Sequence, residues 1–446
     1  GGGRERAGGR VEWGGGVAGR NGRREETGIC GGRRAARAED VPGQGARGWP
    51  RELTVQLAMK FQQYTAPVVA KAVEDTAFYR YVPLLAMNEV GAEPAHGALA
   101  PDAFHRAVAA RGQTHPHALS PVTTHDTKRS ADVRARLAVL SEDPRGWARC
   151  LSRLTRMAGP ARRAAGPHVT RHDEWYLYQT LVGTWPGAPD SVDWAAYQAR
   201  LLAHLVKAGR ESGERTSWAS PDLAYEGALE RYIRRALDPH LSRPLLDTLA
   251  RFIATIGRAA TVNALSQSLL ALSVPGIPDL YQGTEGEHLA LTDPDNRRPV
   301  DHAALTSALA APVASLAALL GDPGQAKLHL VRRALGLRAR RAESFAGGAY
   351  QALATHGVHA PRVLAFQRGD DVVVIVPRLV LELTDAGTRW PVGAAWADTR
   401  VEMPAGRSWH DVFTGRTLAG GPVALGELLA GFPMALLEGS GPGLHE

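Results

Sequence analysis

From Phe252 onward the chain sets Phe252, Ile256, Ala259, Val262, Leu265 and Leu269 three and four residues apart. It then breaks at Pro275-Gly276 into the short apolar run Ile277-Pro278-Asp279-Leu280-Tyr281, followed by the polar Gln282-Gly283-Thr284-Glu285. The first spacing is one face of an α-helix, and a Pro-Gly pair cannot continue it. Helix, apolar strand and polar loop in that order are the rhythm of a β/α unit. A second such junction lies upstream. A strand predicted at Leu119 to Thr124 runs into His125-Asp126-Thr127-Lys128-Arg129-Ser130, and Val133, Leu137 and Leu140 then mark a helix over Val133 to Leu140. Two junctions of this kind restrict the middle of the chain to an α/β architecture.

Elsewhere the pattern is coarser. Leu53 to Tyr64 reads as a mixed strand or helix start, and Phe104 to Arg111 as a short helix. Residues 145–250 read as mostly helical, with breaks at Gly159-Pro160, Gly166-Pro167 and Pro186-Gly187. After about Ala342 the texture turns to β. Val363 to Phe366 and Val372 to Val376 flank Gly369-Asp370-Asp371 as a hairpin. Val401 to Met403, Trp409 to Phe413, Val423 to Leu425 and Phe432 to Leu437 are further strands, separated by Pro404-Ala405-Gly406, Thr414-Gly415 and Gly420-Gly421-Pro422. The expected organisation is an α/β part over 51–341 and a small antiparallel β domain over 342–446, of the size of a sandwich.

The first fifty residues differ from both. They hold 16 Gly and ten Arg, with no apolar period of 2 or 3.6, and cannot bury enough surface to offset the entropy of ordering. They read as a disordered Gly/Arg-rich segment, or as GC-rich gene sequence translated out of frame, consistent with five Lys against 47 Arg in the whole chain. The same segment explains the charge. The chain carries +7 overall, but ten Arg against six acids place +4 of that in residues 1–50. The remainder is near neutral, and the arm lacks interleaved Phe or Tyr for base stacking, so nucleic acid is not an expected partner. No stretch approaches the roughly 20 apolar residues of a membrane span. Cys30 and Cys150 are too few for a disulfide framework, which points to the reducing cytoplasm.

Three clusters could carry chemistry. The polar run His125 to Ser130 follows a strand directly, where β/α barrels place their active-site residues. Lys71, Glu74 and Asp75 precede Thr76-Ala77-Phe78-Tyr79-Arg80-Tyr81. Carboxylates beside aromatic faces suit a sugar, which offers hydroxyls and flat C–H surfaces; a solvated helix end reads equally well. Asp293-Pro294-Asp295-Asn296-Arg297-Arg298-Pro299 reads as a structural loop held by bidentate Asp–Arg pairs. His168 and His172 lack a third ligand, so no metal is expected. Dinucleotide, Walker, nucleophile-elbow and HExxH motifs are absent, and no cofactor is expected.

These segments together resemble the C-terminal half of the maltooligosyltrehalose synthases, members of the alpha-amylase superfamily of glycoside hydrolases. The resemblance rests on PVVAKAVEDTAFYRY at 67–81, NEVG at 88–91, THDTKRSADVRARLAVLSEDP at 124–144, DEWYLYQTLVGTWP at 173–186, RTSWASPDLAYEGAL at 215–229, NALSQSLLALSVPGIPDLYQGTE at 263–285 and DPDNRRPVD at 293–301. It runs collinearly over about residues 53–438. It implies the C-terminal part of a (β/α)8 TIM barrel with a helical insertion, followed by the β domain. It also implies a cofactor-free enzyme that isomerises the reducing-end α-1,4 linkage of a maltooligosaccharide to α,α-1,1, giving a terminal trehalose unit. On this resemblance Asp126 is the catalytic carboxylate that steadies the oxocarbenium-like transition state. His125, Lys128, Arg129, Glu74, Asp75 and Tyr281 are the substrate-binding residues.

The superfamily's nucleophilic Asp, in an Arg-x-Asp motif, and its acid/base Glu both precede the segment matched from Leu53, and residues 1–52 carry neither motif. The chain is therefore expected to be inactive alone. Tyr64, Ala66, Ala72, Pro121 and Ala131 also depart from the usual family residues. Two other readings stay open: a non-catalytic α-glucan-binding remnant, and a nucleic-acid binder driven by the basic arm.

Overall fold

The computed structural model describes residues 50–440. The Gly/Arg-rich segment therefore lies outside the described residues, apart from Pro50. The chain divides after Pro67 into two compact units. The described residues of the first, from Arg51 onward, belong to a helix that runs on to Ala72, and not to a strand. Glu52 in its first turn and Lys71 in its last complement the helix dipole, and the helix buries no residue.

In the second unit, strand β1 (Leu119–Pro121) pairs in parallel with β2 (Ile277–Asp279), in the register Leu119↔Ile277, Ser120↔Pro278 and Pro121↔Asp279. β1 is shorter than the expected Leu119 to Thr124. Pro121 has no N–H to extend the ladder, and the chain turns away after it. Among the described residues this parallel sheet has two strands, short of a barrel wall.

Seven helices of seven or more residues separate the two strands, from Ala131–Ala138 to Arg243–Ser273. Their starts are written locally. Asp143, Asp193 and Asp222 each accept a backbone N–H of the turn they open, and Thr170 with Asp173 forms a reciprocal capping box. Gly166, at φ 77°, closes the helix Gly159–Ala165 where Gly-Pro marks a break. Their apolar faces meet in one core that includes Val133, Leu137, Leu154, Tyr178, Leu181, Leu201, Tyr232 and Leu249.

The helix Arg243–Ser273 extends the expected periodic face in both directions, with Ile256, Ala259, Val262, Leu265 and Leu269 all buried. It packs on the C-terminal sheet, as does the helix Pro323–Arg340. That sheet joins β3 (Tyr350–Ala352), β4 (Thr355–His356), β5 (Val363–Arg368), β6 (Val372–Pro377), β7 (Arg400–Asp411), β8 (Thr417–Ala424) and β9 (Ala435–Gly439). The order is β3-β5-β6-β9-β7-β4, with β8 on β7. The expected hairpin is β5–β6, both strands buried on every residue. Val363, Ala365, Val373 and Ile375 join the first core, whereas Leu364, Phe366, Val372 and Val374 join a second with Leu265, Leu269 and Leu330. Period-2 alternation thus feeds two cores from one hairpin.

Two expectations change here. The strands predicted at Val401 to Met403 and from Trp409 are one strand, β7. A register shift between Met403 and Ser408 absorbs Pro404-Ala405-Gly406 as a bulge, and Gly406 takes φ 78°. All seven strands join a single hydrogen-bonded sheet rather than the two of a sandwich.

Candidate functional site

The segment after β1 is held from every side. Thr124 Oγ1 accepts the Asp126 and Thr127 amides at 3.2 Å each, and Thr127 Oγ1 donates back to the Thr124 carbonyl at 2.9 Å. These are the local side-chain turns that Thr favours. Asn296 Nδ2 donates to the carbonyls of Thr124 (3.2 Å) and His125 (2.9 Å). Thr123 Oγ1 accepts the Ala131 amide at 3.0 Å, satisfying one orphan N–H of the helix Ala131–Ala138. Ser130 donates from its amide to the Ala290 carbonyl (2.9 Å) and from its hydroxyl to the His288 carbonyl. On this rigid turn His125 is exposed and the Asp126 side chain is 52% exposed, while Lys128 and Arg129 are buried.

Lys128 is the hinge between two of the sequence clusters. Its Nζ lies 2.7 Å from Asp75 Oδ1, 3.6 Å from Asp126 Oδ1 and 5.9 Å from the centroid of the Tyr79 ring. Asp75 also bonds Lys71. Burial pushes the Asp75 carboxyl up, but the hydrogen bonds and charges of Lys128 and Lys71 outweigh it and hold Asp75 below its ordinary value. The carboxylate and aromatic cluster at 71–81 therefore meets the post-strand turn.

The remaining candidates lie apart. Arg129 stacks its guanidinium 5.4 Å over the Tyr176 ring and is 1% exposed, with Nε and Nη2 lacking partners. Glu74 Oε1 accepts the Gly91 amide at 3.2 Å. Tyr281 is half-buried and follows β2. Because β1 and β2 run parallel with Pro121 opposite Asp279, the segments that carry Tyr281 and the Asp126 turn both leave the sheet at its C-terminal end. Tyr79 and Tyr176 also wall a cavity of about 390 Å³ with His172, Asp173, Arg215 and Tyr225.

The Asp293–Pro299 loop has the structural bonding expected of it. Its bidentate partner is the distant Arg200, whose Nε and Nη2 lie 2.7 and 2.8 Å from the two Asp295 oxygens, while Lys207 binds Asp293 at 2.6 Å. Asn296, carried by this loop, and Glu89 had no role in the sequence reading. Glu89 accepts the Lys128 and Arg129 amides. Each is a polar residue inside a quoted motif, NEVG or DPDNRRPVD, which is the one local signal they give. His172 bonds the Arg80 carbonyl through Nε2, and among the described residues no group of three His, Cys, Asp or Glu could hold a metal. No helix of the described residues is long and apolar enough to cross a membrane. An exposed carboxylate and imidazole on this turn, with a buried lysine behind them, can accept and donate hydrogen bonds to a polyol.

No family model matches the chain. It is 38% identical over 380 residues to a protein of Mycobacterium tuberculosis described as a putative maltooligosyl trehalose synthase, covering 85% of this chain and 45% of that protein. The maltooligosyltrehalose synthase structure from Arthrobacter ramosus superposes with a TM-score of 0.72 at 37% identity, covering 86% of this chain and 46% of that one. A hypothetical maltooligosyl trehalose synthase of Sulfolobus tokodaii gives a TM-score of 0.66 at 27% identity, covering 89% and 51%. The chain spans about half the length of the curated relatives it matches.

Proposed function

From its kinship with the maltooligosyltrehalose synthases, which it matches along about half their length, we propose that this chain binds the reducing end of a maltooligosaccharide around Asp126. The family reaction is an intramolecular transglucosylation that converts an α-1,4 linkage to α,α-1,1 in trehalose synthesis. In a retaining course one carboxylate attacks the anomeric carbon while a second protonates the departing oxygen and later takes a proton back. Asp126 is the third carboxylate: it accepts hydrogen bonds from sugar hydroxyls and its charge faces the positive charge that develops on the ring. His125 bonds the same sugar. Lys128, buried behind the turn, holds Asp75 and Asp126 in place, Arg129 stiffens the turn beneath, and Asp75, Glu74 and Tyr281 reach the neighbouring glucose. The freed glucose must be recaptured before water reaches the intermediate, so the groups around Asp126 must hold it in place.

The observation that supports this reading is the Asp126–Lys128–Asp75 contact, which joins the two sequence clusters with sugar-binding chemistry. Among the described residues none is assigned the role of nucleophile or of acid/base. By itself the chain is therefore proposed to bind and orient glucan without turning it over. Incubation with maltopentaose should give no non-reducing product, whereas calorimetry should show binding that Asp126→Asn weakens. Efficient conversion by the chain alone would overturn the inactivity, and absence of binding would overturn the glucan assignment.

A further inference from the structure

We propose that Glu89 is the positioning residue that sets the reach of Lys128, fixing the lysine's backbone so that its ammonium stands between Asp75 and Asp126. This rests on the reading that Asp126, with Lys128 behind it, faces a glucan. Glu89 is 4% exposed, and its carboxylate is spent on backbone amides. Oε1 accepts the N–H of Lys128 at 2.8 Å and of Val90 at 2.9 Å, and Oε2 accepts the N–H of Arg129 at 3.1 Å, with Arg134 Nε 3.5 Å away.

Two oxygens of one carboxylate on two consecutive amides leave the peptide between Lys128 and Arg129 little freedom to rotate. Charged acceptors make stronger bonds to N–H than neutral ones, and a buried carboxylate is costly unless it is bonded in this way. With the backbone pinned, the Lys128 side chain has a fixed origin from which Nζ reaches Asp75 at 2.7 Å and Asp126 at 3.6 Å. The adjacent Asn88 works in the other direction: its Nδ2 donates to the Phe78 carbonyl at 2.8 Å and to the Tyr81 carbonyl. The Asn88-Glu89 pair thus ties the segment that carries Asp75 to the turn that carries Asp126. A residue that merely filled the space would need neither oxygen on that turn.

Asp75 reports the position of Lys128 without any substrate. The charged groups near it are Lys128 and Lys71, and Lys71 in turn lies in the field of Glu211 and Asp126. The test is carboxyl NMR titration of the full chain carrying ¹³C-labelled aspartate, with the Asp75 signal assigned by Asp75→Asn. Lys128→Met, which removes one of the two cations, should raise the Asp75 midpoint by about one pH unit. Glu89→Gln should move it most of the way toward that value, and Glu89→Asp, which keeps the charge but is one methylene short, should move it less in the same direction. A folded Glu89→Gln protein with an unmoved Asp75 midpoint would overturn the proposal. If Glu89→Gln does not fold, an unmoved midpoint in Glu89→Asp does the same. Maltopentaose calorimetry on the same samples separates the two readings. A wild-type chain that binds none sinks the glucan assignment, and the Asp75 midpoint still decides the role of Glu89.

Discussion

Asp132 and Lys327, 195 positions apart, form a buried ion pair in which Lys327 Nζ lies 2.9 Å from both carboxylate oxygens. Asp132 opens the helix that follows the Asp126 turn, and Lys327 lies in the helix Pro323–Arg340 that packs on the C-terminal sheet. Asp132 Oδ2 also accepts the His288 amide at 2.7 Å, so one carboxylate holds three separate stretches of chain together.

Lys327→Met is expected to strand the Asp132 charge in an interior where both side chains are about 5% exposed or less. Losing one partner of a buried pair costs about 3–5 kcal/mol, whereas replacing both with apolar groups is often close to neutral. Urea unfolding should therefore find Lys327→Met strongly destabilised and Asp132→Leu/Lys327→Met largely recovered. A double variant no more stable than the single one would mean that the His288 amide, and not the ion pair, dominates the role of Asp132.

Gly183 sits in the helix Arg171–Thr184, where Gly→Ala would ordinarily gain up to about 1 kcal/mol. Here a Cβ would come within 2.7 Å of Val133 Cγ1 and 3.3 Å of Leu137, both buried in the same core. Overpacking of a filled core costs about 1–3 kcal/mol and should win. Gly183→Ala is expected to lower the unfolding midpoint, and a stabilised variant in the same thermal melt would show that the two helices can separate cheaply.

His204 is 5% exposed and bonds Tyr176 Oη through Nε2 at 2.9 Å. Burial, and then the positive charges of Arg129, Arg200 and Lys207, hold its imidazole well below the ordinary range, so it stays neutral when folded. Because the folded value is depressed, its contribution to stability is complete above the unfolded pKa of about 6.5 and is lost as pH falls below it. Between pH 7.5 and 5.5 the chain should lose about 1 kcal/mol of stability to this residue alone. The same slope should be missing from His204→Gln. Identical pH dependence of the urea midpoints in the two proteins would assign the acid sensitivity to other groups, such as His288 and His329, which burial also depresses.

Much of this molecule was legible because its signals are local. The periodicity from Phe252 to Leu269 marks the helix Arg243–Ser273, and Val363 to Val376 marks the β5–β6 hairpin, since spacing along the chain dictates which side chains share a face. His125 to Ser130 stood out for a similar reason: a charged run straight after a strand is anomalous in sequence alone. The bulge in β7 reads as a strand break because Pro404-Ala405-Gly406 is the same text in a loop as in a bulge, and the neighbouring strand decides between them.

The sequence by itself therefore determined most of the helices and strands, the post-strand turn and the likeness of the chain to the maltooligosyltrehalose synthases. Only the tertiary structure decided what that turn touches. Asp75 lies 53 positions from Lys128, Glu89 lies 39 from it, and Asn296 lies 171 from His125. No spacing rule links residues so distant, because their meeting depends on how whole helices and loops pack. The same packing decided that Asp126 is open to solvent while Lys128 and Arg129, two and three residues later, are buried. In sequence all three read as one polar run; in the fold the cations are withdrawn behind the turn, Lys128 onto the Asp75 and Asp126 carboxylates and Arg129 over the Tyr176 ring.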